Sequence, residues 1–149
     1  MKKLLIVIAM FYYSICQSQT FGLSAEIGQG FKFIDYHNPQ FYMVNASLKP
    51  SLGFFKEKAI ATTIVMTAFC DGYTYVYGGT GLSYRAFEKN NFKAELGVTA
   101  LFGSEARQLY GINASFDFGE SFYISLNARQ EYKNKEFWFD GAIGIPITN

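Results

Sequence analysis

The sequence is poor in charge. Of its 149 residues, 17% are Asp, Glu, Lys or Arg, against about a quarter in ordinary soluble domains. It has one His, one Trp, two Cys and three Pro. No basic run or patch motif appears, so the electrostatic footprint of a nucleic-acid binder is missing. One His and one or two Cys do not make the ligand set that zinc prefers, and no metal or other cofactor is expected. No apolar run reaches the about 20 residues that a spanning helix needs. Beyond the first residues there is no convincing amphipathic helix, no linker and no compositional sign of disorder.

The N-terminus reads as a targeting segment. "MKK" supplies a positive start, "LLIVIAMFYYSIC" an apolar stretch, and polar "QSQT" follows. This is the pattern of a secretory signal peptide, assigned to residues 1–18, with cleavage between Cys16 and Thr20. The remaining domain is 19–149. Loss of Lys2 and Lys3 leaves 11 basic residues against 12 acidic ones, a formal charge of −1. Cys16 leaves with the signal, so Cys70 has no disulfide partner. A lipidated Cys16 fits poorly after Tyr13-Ser14-Ile15, because lipoprotein signals favour a small residue just before the cysteine.

What the chain does have is aromatic side chains, 16 Phe and 11 Tyr, and alternation. In "FKAELGVTALFG", Phe92, Ala94, Leu96, Val98, Ala100 and Phe102 share one parity. Lys93, Glu95, Gly97 and Thr99 share the other. That period of two is a β-strand with two different faces. Seven more runs behave as strands, starting at Thr20, Phe41, Ala59, Tyr73, Gln108, Ser121 and Glu136. They are separated by turn signals such as "CDG", "EKNN" and "GE". Short links make neighbours antiparallel. An eight-stranded up-and-down meander that closes on itself leaves no exposed edge.

One face of most strands is apolar: Phe21, Leu23, Ala25 and Ile27 in the first, Tyr42, Val44, Ala46 and Leu48 in the second, Tyr110, Ile112, Ala114 and Phe116 in the sixth. Phe122, Ile124 and Leu126 in the seventh, and Phe137, Phe139, Ile143, Ile145 and Ile147 in the eighth, continue it. In the fourth, Val76, Leu82 and Tyr84 oppose Tyr75, Tyr77, Ser83 and Arg85. The third is ambiguous: either Ile60, Ile64 and Met66 or Val65 and Phe69 face outward. The other face is rich in Gly, Ser and Asn. It carries Lys49, Arg85, Lys93 and Arg129 against Glu26, Glu95, Asp117, Glu131 and Asp140, four positive charges and five negative.

A soluble barrel would have to pack the bulky apolar set inside an eight-stranded wall, just wide enough for side chains to fill. Its outer surface would then be mostly Gly and Ser with few charges. The inverse arrangement is easier. The apolar face meets hydrocarbon, and the small polar face fits the narrow interior, where its nearly balanced charges can pair. Aromatics near strand ends, including Phe21, Phe31, Phe54, Phe69, Phe87, Phe102, Phe118 and Tyr132, would form girdles at the two interfaces. The expected fold is therefore an all-β, eight-stranded antiparallel up-and-down transmembrane β-barrel.

On the signal segment, the alternating strands and the charged inner face, the whole mature chain resembles the small eight-stranded outer-membrane barrels of Gram-negative bacteria, of the OmpA-domain and OmpX type. The resemblance implies residence in the outer membrane, contact with its lipid bilayer and insertion by the barrel assembly machinery; members of the group do varied things, among them anchoring, adhesion and lipid modification, and for this chain no catalysis is expected. It names no protein partner. Two features depart from the group. The chain ends "GIPITN", with Pro146 in the closing segment and no terminal aromatic, and its loops are short.

Candidate chemistry is sparse. His37 lies in "KFIDYHNPQ", the longest connection, with Asp35 nearby. No serine motif accompanies it, as a Ser/His/acid site requires. Asp35, Tyr36, His37 and Asn38 are taken as a candidate interaction loop. "YGGTGLSY" lacks the lysine and the strand-to-helix setting of a phosphate loop, and its glycines suit barrel curvature. "NAS" at Asn45 and Asn113 is inner-face polar filling. The nine inner charges are expected to form a network that plugs the lumen, since eight strands leave no porin-type channel. The expected role is structural or interactive. The alternatives are an exported soluble barrel resembling lipocalins or streptavidin, with a small apolar ligand held among Phe92, Leu96 and Val98, and an outer-membrane lipid-modifying enzyme.

Overall fold

In the computed structural model the chain forms a closed barrel in which β1 through β8 are neighbours in chain order and β8 returns to β1. The structure describes residues 20–34, 39–55, 57–119 and 121–148. The strands are β1 (Thr20–Phe33), β2 (Pro39–Phe54), β3 (Ala59–Cys70), β4 (Tyr73–Lys89), β5 (Phe92–Gly103), β6 (Gln108–Phe118), β7 (Tyr123–Glu131) and β8 (Phe137–Thr148). A short 3-10 turn, Ser104–Ala106, precedes β6. All neighbouring pairs are antiparallel. The proposed signal segment 1–18 and the loop residues Asp35, Tyr36, His37 and Asn38 lie outside the described residues.

The strand assignments from sequence hold to within a few residues, and turn chemistry explains why. Asp71 and Gly72 both take positive φ, 54° and 76°. A two-residue hairpin needs that twist, and Asp-Gly supplies it cheaply. The connection after β1 is shorter than the sequence suggested, because Lys32, Phe33, Pro39 and Gln40 belong to strands. Pro146 pairs with Ser24 beside a register shift at Leu23/Ser24, and such an irregularity is where a strand tolerates proline.

Parity sorts the side chains as the two-face pattern requires. Ile27 is 71% exposed on the outer wall, while Glu26 beside it is buried. Leu48, Val65, Leu82, Leu96, Val98, Ile112, Leu126 and Ile143 are also exposed. Toward the end that carries the termini, Phe21, Phe55, Phe87, Phe118 and Phe122 are exposed. Toward the other end are Phe31, Tyr42, Phe69, Tyr73, Phe102, Tyr110, Tyr132 and Phe139. The outer wall is thus an aliphatic belt between two aromatic rims. The ambiguity of β3 is resolved: Ile64 and Met66 point inward and are buried, and Val65 and Phe69 point outward.

The interior is not uniformly polar. Met43, Ile64, Met66, Ala68, Cys70, Tyr77, Leu101, Leu109 and Trp138 form one buried apolar cluster. Most of it fills the half of the barrel away from the termini.

Candidate functional site

The lumen is the place where this chain concentrates its chemistry, and it is divided into three zones. The first is a waist. Arg129 and Asp140 are fully buried and form a short ion pair between β7 and β8. Asn127 donates to the second carboxylate oxygen of Asp140 at 3.0 Å. Register makes this possible, because Asn127 stands opposite Asp140, and Arg129 is one inward step further along β7. A buried carboxylate is tolerated only with its charge matched and its lone pairs occupied, and Asp140 has both.

The second zone is a plug on the far side of the waist. Trp138 sits edge-on to Tyr75 and Tyr77, with ring centroids 6.0 and 5.7 Å away. The Arg107 guanidinium lies over the Tyr75 ring at 4.5 Å. Glu136 receives Lys32 at 3.3 Å and Arg107 at 3.7 Å. Glu131 is fully buried and accepts from the Asn134 backbone N–H at 2.7 Å. Met43, Met66, Cys70, Leu101 and Leu109 fill the rest. Rings and methylenes of this cluster thus occupy this zone of the lumen.

The third zone, on the side of the termini, is open. It is a cavity of about 210 Å³ lined by Glu26, Lys49, Glu95, Asp117, Tyr123 and the hydroxyls of Ser24, Ser51, Thr99 and Ser125. Glu26 is ion-paired with Lys49 and accepts from Ser47 at 3.3 Å. At the mouth, Arg85 meets Glu95 and Glu57, each at 3.1 Å, and Glu88 at 3.6 Å. The hydrogen bond from Arg85 holds the Glu57 carboxyl below the usual glutamate range. Thr99 is buried, and among the described residues its hydroxyl has no hydrogen-bond partner.

The nine charges named from sequence therefore fall into separate groups. Glu26 with Lys49, Arg85 with Glu95, and Arg129 with Asp140 are brought together. Lys93 stands opposite Asp117 in the β5–β6 register. Glu131 lies apart, in the plug. Five charged residues outside that set join these groups: Lys32, Glu57, Glu88, Arg107 and Glu136. Lys32 shares the parity of Glu26, and Glu136 that of Asp140. Extending each alternation by a few residues would have found both.

Among the described residues, no cluster of three or more His, Cys, Asp or Glu is placed to hold a metal ion.

No protein-family model matches the chain, and no curated protein matches it in sequence. In fold it is similar to a solved structure described as "De novo design of transmembrane beta-barrels", with a TM-score of 0.57 and 9% identity, covering 85% of this chain and 95% of that one. At that identity the likeness speaks to the fold: an eight-stranded antiparallel barrel of the transmembrane type.

Proposed function

We propose that this chain is an integral outer-membrane β-barrel of a Gram-negative bacterium, exported by residues 1–18, inserted by the barrel assembly machinery, and serving a structural or interaction role rather than catalysis or porin-type transport. One observation carries the reading: the apolar residues are on the outside and the charges on the inside. Ile27, Leu96, Val98, Ile112 and Ile143 are each more than half exposed, in a belt that water would penalise at roughly 25 cal/mol per Å². A bilayer removes that penalty, and exposed Phe and Tyr at both rims suit its interfaces. The wall is closed, so no unpaired strand edge faces lipid.

The soluble, ligand-binding alternative needs Leu96 and Val98 inside the barrel, and both are exposed on its outer wall. The lipid-modifying alternative relied on His37, which lies outside the described residues. The apolar plug and the Arg129–Asp140 waist support a lumen that does not conduct. The end of the barrel where β1 starts and β8 ends would face the periplasm, with the turns at 104–107 and 132–136 outside, because outward loops tend to be the longer ones.

Gel mobility tests the reading. Protein taken from the envelope in mild detergent is run with and without boiling. A heat-dependent shift in the outer-membrane fraction is the expected result. Release into the soluble periplasm with no shift would sink the proposal.

A further inference from the structure

The open zone of the lumen is a vestibule of about 210 Å³ between the waist and the end where β1 starts and β8 ends. Its charged groups are matched within the wall. Lys49 is paired with Glu26, and Arg85 with Glu95. Asp117 stands opposite Lys93 in the β5–β6 register. An ionic ligand would have to displace one of these partners. The groups left to receive something from solvent are neutral.

Those neutral groups are gathered on one wall, across β4, β5 and β6. Thr99 has Gly81 on one side and Gly111 on the other. Neither cross-strand neighbour has a side chain to offer its buried hydroxyl, which among the described residues has no hydrogen-bond partner. One inward step nearer the mouth the order is reversed, and Gly97 stands between Ser83 and Asn113. Both lean over it: a Cβ at Gly97 would lie 2.6 Å from Asn113 Oδ1 and 2.8 Å from Ser83 Cβ. Ser115, the next inward residue of β6, continues the wall. Beside this polar patch is an apolar one. Ile60 and Ile64 of β3 line the same cavity, and Ile64 Cδ1 reaches over Gly81 toward Thr99, 3.5 Å from where a Cβ at Gly81 would be.

From this juxtaposition we propose that the vestibule is a binding site for one neutral monosaccharide in its pyranose form. Each Ser or Thr hydroxyl, and the Asn113 amide, can both donate and accept. A ring with hydroxyls on neighbouring carbons offers the same mixture in return. Such a ring also has an apolar C–H face, which suits the strip of Ile60 and Ile64. The cavity is well below the about 300–1,000 Å³ of sites for drug-sized ligands, so it suits one small ring. The waist closes the inner end, so the sugar enters and leaves by the mouth. The proposal concerns the interior and holds whatever medium meets the outer wall.

The test uses the full mature barrel in a phosphocholine-headed detergent, which carries no sugar, with β-sheet circular dichroism as the check of folding. Glucose, galactose and N-acetylglucosamine are titrated in turn while the backbone amide signals are followed by NMR. At least one of them should saturate with one molecule per barrel and a Kd of about 1 mM. The shifts should cluster at Ser83, Gly97, Thr99 and Asn113 and leave Leu101 and Leu109 in the plug unmoved. Glucosamine and glucuronate, which carry charge, should bind several-fold more weakly. Thr99→Val keeps the shape, removes the hydroxyl and should weaken binding about tenfold. Thr99→Ser, which keeps the hydroxyl, should bind nearly as wild type does. No saturation by any neutral sugar up to about 50 mM, or shifts confined to the two rims, overturns the proposal. So does tighter binding of either charged analogue, or a folded Thr99→Val barrel that binds like wild type. If Thr99→Val does not fold, the place of the shifts and the charged analogues on wild type decide.

Discussion

The Tyr123 ring occupies the space that a side chain at Gly144 would fill. From there its hydroxyl donates to Ser24 Oγ at 2.9 Å. Tyr123 belongs to β7, Gly144 to β8 and Ser24 to β1, so one side chain crosses a strand and ties it to the next. The crossing lies at the seam where the last strand meets the first. Gly144→Val should force the ring out and cost about 1–3 kcal/mol, as overpacking does. Tyr123→Phe keeps the ring and loses only the hydrogen bond, roughly 1 kcal/mol. Urea unfolding of both variants in detergent gives the comparison. Equal losses would mean that the ring does not need the glycine.

The Arg129–Asp140 pair should show the asymmetry of buried ions. Asp140→Ala leaves a fully buried guanidinium without its counter-charge and leaves Asn127 only its longer contact to Ser125 Oγ at 3.5 Å, at an expected loss of about 3–5 kcal/mol. Arg129→Met combined with Asp140→Leu removes both charges and should recover most of it. A double variant as unstable as the single one would show that the waist depends on polarity and not on filling.

The plug predicts electrical silence. Wild-type barrels in a planar bilayer should show no steady conductance, because Trp138, Tyr77 and Leu101 fill the section between the waist and the far end. Trp138→Gly removes the largest of these side chains and the edge contacts to Tyr75 and Tyr77. Brief openings above the wild-type background are expected. Wild-type conductance of any steady size would mean that the lumen is not closed by this cluster.

Most of the fold was legible because polarity changes sign between the two faces of most strands. Strand β3 defeated that reading for a physical reason. It runs between the outer belt and the apolar plug, so Val65 and Phe69 on one face and Ile64 and Met66 on the other give no contrast. The plug itself was hidden because its parts are scattered, with Met43, Tyr77, Leu101 and Trp138 contributed by four different strands. The inward position of Arg129 and Asp140 follows from parity alone. That they meet, while Glu131 joins the plug, follows only from the β7–β8 register.

Acid should loosen the mouth of the vestibule. Arg85, through its hydrogen bond and then its charge, holds Glu57 ionised below the ordinary glutamate range. A carboxylate whose pKa is depressed on folding stabilises the fold above its unfolded pKa, about 4.3. That contribution is lost as the pH falls through the lower folded value. It is small, because the Glu57 side chain is 41% exposed and solvent screens such a pair. Glu57→Gln should therefore flatten the acid limb of a stability-against-pH curve below pH about 4.3 and leave the neutral region nearly unchanged. An unchanged acid limb would show that Glu57 gains nothing from Arg85 in solution.

The decisive substitution for the membrane reading is at Ile27, midway along β1 and 71% exposed. Its neighbours across the seams are Ala46 and Ile143, so the site is the centre of the aliphatic belt. On a water-facing surface, Ile27→Arg would change stability by no more than about 0.5 kcal/mol. At the midplane of a bilayer the same change costs about 2–4 kcal/mol, and less toward either interface. Phe31→Arg, one rim away, should therefore cost less than Ile27→Arg if lipid surrounds the barrel, although both positions are exposed. Denaturant unfolding from lipid vesicles measures the two. A graded loss from centre to rim is expected, whereas two equal and small effects would mean that water, not hydrocarbon, meets this wall.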